Sequence, residues 1–142
     1  EDPLQFCTLA AAMVSRARPG SSGLDVELVL AGHVQPVVVR ADGRAELVGE
    51  FGSAVGLVPR MRLECTRHHL APGEVFLAYT DGVTERRRGR AQFGADRLLE
   101  VAAGAAGRPA RQVVAAVREA VERFSADPLD DDVALLAIRA AR

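Results

Sequence analysis

Apolar and polar positions along this chain change period twice, and the changes mark its elements. From Phe6 to Ser15 the sequence is almost wholly apolar, which predicts a strand, and Arg18-Pro19-Gly20-Ser21-Ser22-Gly23 breaks it. Asp25-Val26-Glu27-Leu28 then alternates before Val29-Leu30-Ala31 turns fully apolar, as a strand covered more deeply at one end would. Gly32-His33-Val34-Gln35-Pro36 interrupts, Val37-Val38-Val39-Arg40 resumes, and Asp42-Gly43 signals a tight turn into Glu46-Leu47-Val48. The first fifty residues therefore read as an antiparallel meander. Residues 49–59 hold three glycines and a proline among apolar residues, an ordered loop tucked against the sheet. Met61 to Leu70 reads as a further strand. Val75-Phe76-Leu77-Ala78-Tyr79, entered from Ala71-Pro72-Gly73-Glu74, reads as a buried one.

Beyond residue 93 the period lengthens. Arg97-Leu98-Leu99-Glu100-Val101-Ala102-Ala103 is helical and is stopped by Gly104 and Gly107. Pro109 suits the first turn of a second helix, in which Val113, Val117, Val121 and Phe124 form one apolar stripe facing the sheet. Val133 to Arg139 returns to an apolar strand.

At 142 residues the chain is most simply one domain, residues 1–142, large enough to bury about two-thirds of its unfolded surface. A net charge of −1 offers no field for nucleic acid or an anionic membrane. No run of about 18 apolar residues or signal-peptide pattern occurs, so a cytoplasmic location is expected. Cys7 and Cys65 lie in apolar, strand-like contexts and read as free buried thiols of a reducing compartment. The chain opens at Glu1 without methionine, as a fragment of something longer would.

Candidate chemistry gathers where apolar strands meet carboxylates. Asp81 follows the strand ending at Tyr79, held by a rigid element yet open to solvent, as a metal ligand or acid/base group must be. The Asp81-Gly82 dipeptide is equally able to be a simple turn. A second acidic group, Asp130-Asp131-Asp132, precedes the last strand, and two antiparallel neighbours would bring Asp81 and the triplet to one sheet edge. Adjacent carboxylates repel unless a cation neutralises them; otherwise they are a solvated loop. Arg86, Arg87, Arg88 and Arg90 surround Gly89 in what reads as a hairpin tip, either merely solvated or suited to an anionic partner through bidentate contacts. His33, beside Gly32, reads as a hydrogen-bonding brace. His68 and His69 point to opposite faces of a strand and do not converge on one ion.

Taken in order, Ala31-Gly32-His33 with Pro36, Gly56-Leu57, Leu70-Ala71-Pro72-Gly73-Glu74, Tyr79-Thr80-Asp81-Gly82-Val83-Thr84-Glu85, Phe93-Gly94 before Arg97-Leu98, and Asp130-Asp131-Asp132-Val133 resemble the metal-dependent protein phosphatases (type 2C-like, PPM), and among them the bacterial SpoIIE-type branch that regulates sigma factors. The resemblance implies an α+β fold, an antiparallel β-sandwich flanked by helices, with a two-metal Mn²⁺ or Mg²⁺ centre at one edge. It implies that Asp81 and Asp131 are metal ligands, with Asp132 as the alternate, and that two metals activate a water for direct attack on phosphoserine or phosphothreonine. The implied substrate is a phosphorylated anti-sigma-factor antagonist, with sensory or regulatory domains attached upstream. The family's Gly-Asp-x-x-Gly type motif has no counterpart before Phe6, so the chain looks like the C-terminal half of such a domain and is expected to be a poor enzyme alone. A different class of function, a non-catalytic module of this fold holding an acidic or phosphorylated partner on the Arg86 to Arg90 tip, stands beside it.

Overall fold

A computed structural model describes residues 5–129 and 131–141. Two antiparallel sheets and a pair of helices form three layers. The first sheet orders β1 (Leu9–Arg16), β2 (Leu24–Ala31) and β5 (Cys65–Leu70) as β1-β2-β5. The second contains β3 (Val37–Val39), β4 (Ala45–Leu47), β6 (Val75–Tyr79) and β9 (Leu135–Arg139), ordered β4-β3-β6-β9. A small hairpin, β7 (Arg87–Arg88) and β8 (Ala91–Gln92), leads into α1 (Gly94–Gly104) and α2 (Ala110–Phe124).

Side-chain alternation explains why β3 and β6 are apolar throughout. Successive strand residues point to opposite faces, and both faces of these central strands are covered. Val38 and Phe76 point into a core shared with Val26, Leu28, Leu30 and Leu70 of the first sheet. Val37, Val39, Val75, Leu77 and Tyr79 point the other way, against Leu98 and Ala102 of α1 and the Val113, Val117, Val121 and Phe124 stripe of α2. The predicted helical face is thus the buried one. The observed α+β sandwich with helices on one side agrees with the fold class read from the sequence.

Three local expectations need correction. The first fifty residues are not one meander: β1 and β2 pair in the first sheet, whereas β3 and β4 pair in the second. Gly32 supplies the change of direction with φ +72, and a Cβ there would meet the Ala54 Cβ at 2.7 Å, so the crossing demands glycine. The strand expected from Met61 begins only at Cys65, because Arg62 bonds the glycine-rich loop instead, Ser53 N to Arg62 O at 2.9 Å and Arg62 N to Ser53 Oγ at 3.1 Å. Cys7 and Cys65 are free, as expected, yet both are exposed. Cys65 starts an edge strand, and Cys7 lies in a single bridge to Val55, so neither is enclosed by a second layer.

A polar brace ties the sheets together at the end remote from Asp81. Glu74, 8% exposed, accepts from Arg40 Nη1 at 3.0 Å and from the amides of Ala71 and Ala41 at 3.0 and 3.2 Å. Burial by itself would raise the carboxyl pKa; the guanidinium and the two amides outweigh it and hold the group below the usual carboxylate range. His69 Nδ1 meets Asp25 across the strands at 2.8 Å, and His68 Nε2 meets Thr66 Oγ1 at 2.8 Å, which accounts for both histidines without a metal.

Candidate metal centre

The pairing of β6 with β9 sets this edge. Tyr79, the last residue of β6, lies opposite Leu135, the first of β9, so what leaves β6 and what enters β9 are neighbours. Asp81 stands two residues beyond the first and Asp131 and Asp132 precede the second, all three exposed. Asp130, the remaining member of the triplet, lies outside the described residues.

Backbone contact between the two segments is close. A Cβ at Gly82 would stand 2.5 Å from the Asp132 carbonyl oxygen and 3.4 Å from the Asp131 carbonyl carbon, so only glycine admits this approach. Thr80 secures it. Its hydroxyl donates to Asp132 O at 2.7 Å and accepts from Ala134 N at 2.9 Å, while Thr80 N donates to Ala134 O at 3.2 Å. The Asp81 turn is itself closed by Val83 N to Thr80 O at 3.0 Å, Glu85 N to Asp81 O at 2.8 Å and Thr84 Oγ1 to Asp81 O at 3.2 Å. Asp81 Oδ1 accepts from Gly82 N at 3.1 Å and Asp131 Oδ1 from Asp132 N at 2.7 Å, each carboxylate keeping its other oxygen outside these bonds.

The donor chemistry is compatible with the metals that the family resemblance implies. Exposed carboxylate oxygens, without thiolate or imidazole, favour hard cations such as Mg²⁺ or Mn²⁺ over Zn²⁺. Among the described residues no group of three His, Cys, Asp or Glu side chains is placed to hold an ion. Asp81, Asp131 and Asp132 by themselves do not form such a group.

The arginines separate. Arg87 and Arg88 are exposed on the hairpin around Gly89, as expected of a tip, although Arg88 also lies over the Phe124 ring at 4.8 Å. Arg86 is not part of that tip: it is 6% exposed, and its guanidinium donates to Pro128 O at 2.5 Å, to Ser125 O at 2.9 Å and to Asp127 O. A charge run cannot tell which of its members turns inward, so this role had no signal in the sequence. Gly82, Glu85, Arg86, Arg87, Leu129 and Asp131 together line a small cleft of about 160 Å³ between the acidic edge and the hairpin.

Beside the edge, His33, Leu9, Tyr79, Thr80 and Leu136 line a shallow apolar groove. His33 Nδ1 lies 3.0 Å from Val34 O, in keeping with a brace. Burial pushes the Tyr79 phenol up to about 12.

Comparison with known proteins bears on the fold and the family. Protein IcfG of Synechocystis is 31% identical over 77 residues, which are 54% of this chain and 12% of that protein. The crystal structure of the RsbU and RsbW domains of Rv1364c from Mycobacterium tuberculosis superposes with a TM-score of 0.69 at 28% identity, covering 87% of this chain and 38% of that one. The phosphatase domain of the cell fate determinant SpoIIE from Bacillus subtilis gives a TM-score of 0.71 at 14% identity, a likeness of fold, over 95% of this chain and 59% of that one. The chain thus spans less than two-thirds of each of these relatives. The profile of the family described as Stage II sporulation protein E (SpoIIE) matches residues 3–141, and the chain belongs to that SpoIIE branch of the metal-dependent protein phosphatases.

Proposed function

We propose that this chain is the C-terminal portion of a metal-dependent serine/threonine protein phosphatase domain that acts on a phosphorylated anti-sigma-factor antagonist. The observation that carries the reading is the β6–β9 register, which brings the Asp81 turn into backbone contact with Asp131 and Asp132. Membership of the SpoIIE family supports the reaction class, and the likeness to a chain holding RsbU and RsbW domains supports a sigma-factor setting.

Asp81 and Asp131, with Asp132 as alternate, would hold Mn²⁺ or Mg²⁺ through oxygen. When bound, such ions supply an activated water and stabilise charge on the phosphoryl oxygens. The chain's own part is positional. Thr80 and the closed Asp81 turn hold the backbone that carries the carboxylates, so the segments need not come together at the moment of reaction. Exposed Arg87, on the rim of the cleft that Asp131 also lines, is suited to a phosphate or an acidic surface of the phosphoprotein. A phosphate monoester lying between them would have a carboxylate-rich, metal-binding side and a cationic side.

The experiment is phosphate release from a phosphoserine protein of the anti-sigma-factor-antagonist type, with Mn²⁺, by the parent protein and by its Asp81→Asn variant. Turnover in the parent, abolished by chelation and by the substitution, is expected. Equal turnover in the Asp81→Asn variant would sink the assignment. The 142-residue chain alone should be a poor catalyst, since its described residues include no group of three side chains placed to hold one ion. Robust Asp81-dependent turnover by the chain alone would refute that. The second reading, a non-catalytic module, is favoured by the exposed Arg87 and Arg88 hairpin. It predicts phosphoprotein binding that needs no metal and weakens on Arg87→Ala.

A further inference from the structure

We propose that Arg86 is a positioning residue that fixes the acidic loop against the Asp81 turn. The inference rests on the reading of this edge as a metal centre, and it concerns a side chain that the sequence placed on an exposed tip, either solvated or facing an anionic partner. The segment leading into β9 is fastened on both sides of its acidic residues, and both fasteners come from one short turn. On the C-terminal side Thr80 Oγ1 donates to Asp132 O at 2.7 Å and accepts from Ala134 N at 2.9 Å. On the N-terminal side the Arg86 guanidinium donates to the carbonyls of Ser125, Asp127 and Pro128. Thr80 and Arg86 flank Asp81, and the turn between them is closed by its own hydrogen bonds. Asp131 therefore lies between two anchors whose positions are set by the segment that carries Asp81.

The chemistry of arginine suits the task. Ser125 follows the last residue of α2, where helix carbonyls lack partners and the end of the macrodipole is negative, so a buried cation is stabilised there. A planar fork of donors can meet three carbonyls at once; an ammonium on a flexible stem cannot hold the same geometry. The anchored backbone is also outside the two hydrophobic cores, since none of the described residues 126–129, 131 and 132 belongs to either. Packing does not fix this loop, so the hydrogen bonds must. Arg86 is itself locked at its backbone, Phe93 N donating to Arg86 O at 2.8 Å, so its pull is referred to α1 and the hairpin and not to solvent.

Amide hydrogen exchange by NMR on the full chain tests the proposal, comparing the parent with Arg86→Lys, which keeps the charge and gives up the fork. Arg108→Ala, which removes an exposed arginine between the helices, is the charge control. In Arg86→Lys the Asp132 and Ala134 amides should exchange about ten- to a hundredfold faster, while Leu77 and Val117 keep their rates. Mn²⁺ affinity, read from the paramagnetic broadening of Asp81 and Asp131, should weaken about ten- to a hundredfold. Arg108→Ala should change neither. Uniform acceleration across the cores, or none in the loop, would overturn the proposal, as would a loosened loop with unchanged Mn²⁺ affinity. Loss of the fold in both Arg86→Lys and a second variant, Arg86→Gln, would also overturn it, because a tether of one loop is not needed to build the cores. If the parent itself binds no Mn²⁺, the metal reading fails, and the exchange rates still decide whether Arg86 holds the loop.

Discussion

Replacing Gly82 with alanine should separate the two acidic segments while leaving the fold intact. Gly82 is not held at positive φ, so alanine meets no conformational penalty, and the unfolded chain's lost freedom would favour it by about 0.4–1 kcal/mol. Contact works the other way. The new Cβ would lie 2.5 Å from Asp132 O and 3.1 Å from Asp132 C, which are backbone atoms with no rotamer to escape into. Relief requires the 131–132 segment to recede by nearly 1 Å, and such overpacking costs about 1–3 kcal/mol. The overpacking term wins, leaving a net loss of about 1–2 kcal/mol. The receding segment carries Asp132 O, so the 2.7 Å bond from Thr80 Oγ1 lengthens with it. Displacement on this scale should lower Mn²⁺ affinity and, in the phosphatase proposed above, would cost turnover about 100-fold. Urea unfolding and Mn²⁺ titration of Gly82→Ala would be read against Gly104→Ala, where a Cβ meets nothing within 4 Å and the end of α1 should gain stability. A Gly82→Ala protein as stable as its parent, with the same Mn²⁺ affinity, would refute the argument that these segments touch.

Other substitutions and titrations test the layers. Phe124→Ala should cost about 3–4 kcal/mol and Val117→Ala about 2 kcal/mol by urea unfolding, because both lie on the stripe that α2 buries. Arg87→Ala should stay within about 0.5 kcal/mol, and equal midpoints for it and Phe124→Ala would mean the buried face is misassigned. Tyr79 is the sole tyrosine, so absorbance at high pH reports it alone, and the native chain should ionise near 12. Since the folded pKa is the higher one, the stability it contributes is whole below the model-peptide value of 10.0 and is lost as pH rises towards 12; native ionisation at the peptide value would contradict the burial. For Glu74 the sign reverses. Its folded pKa lies below the ordinary 4.5, so its stability is present above that value and is lost as pH falls through the folded pKa. Acid unfolding of Glu74→Gln should be less steep than that of the parent below pH 4.5, and identical curves would exclude the brace.

Much of the architecture was written in the order of residues, because it depends on local periodicity. The alternation in Asp25 to Leu28, the apolar Val75 to Tyr79 run and the Val113, Val117, Val121, Phe124 stripe each name an element and its buried face without reference to anything distant. The meeting of the segment after β6 with the segment before β9 was legible for the same reason: both abut strands, and antiparallel pairing was the simplest way to join them. Whether β3 and β4 continue the first sheet or cross to the second is not a local property. It follows from Gly32 lying against Ala54, two positions that meet only after folding. The exposure of Cys7 and Cys65 likewise depends on which strands end up at sheet edges. Arg86 shows the limit most sharply, since its neighbours Arg87 and Arg88 have the same chemistry and a different fate. What turned Arg86 inward was the set of carbonyls at 125, 127 and 128, some forty residues away in the chain, left without partners where α2 ends. Periodicity reports what a segment buries; which distant polar groups await a donor is decided only when the layers have packed.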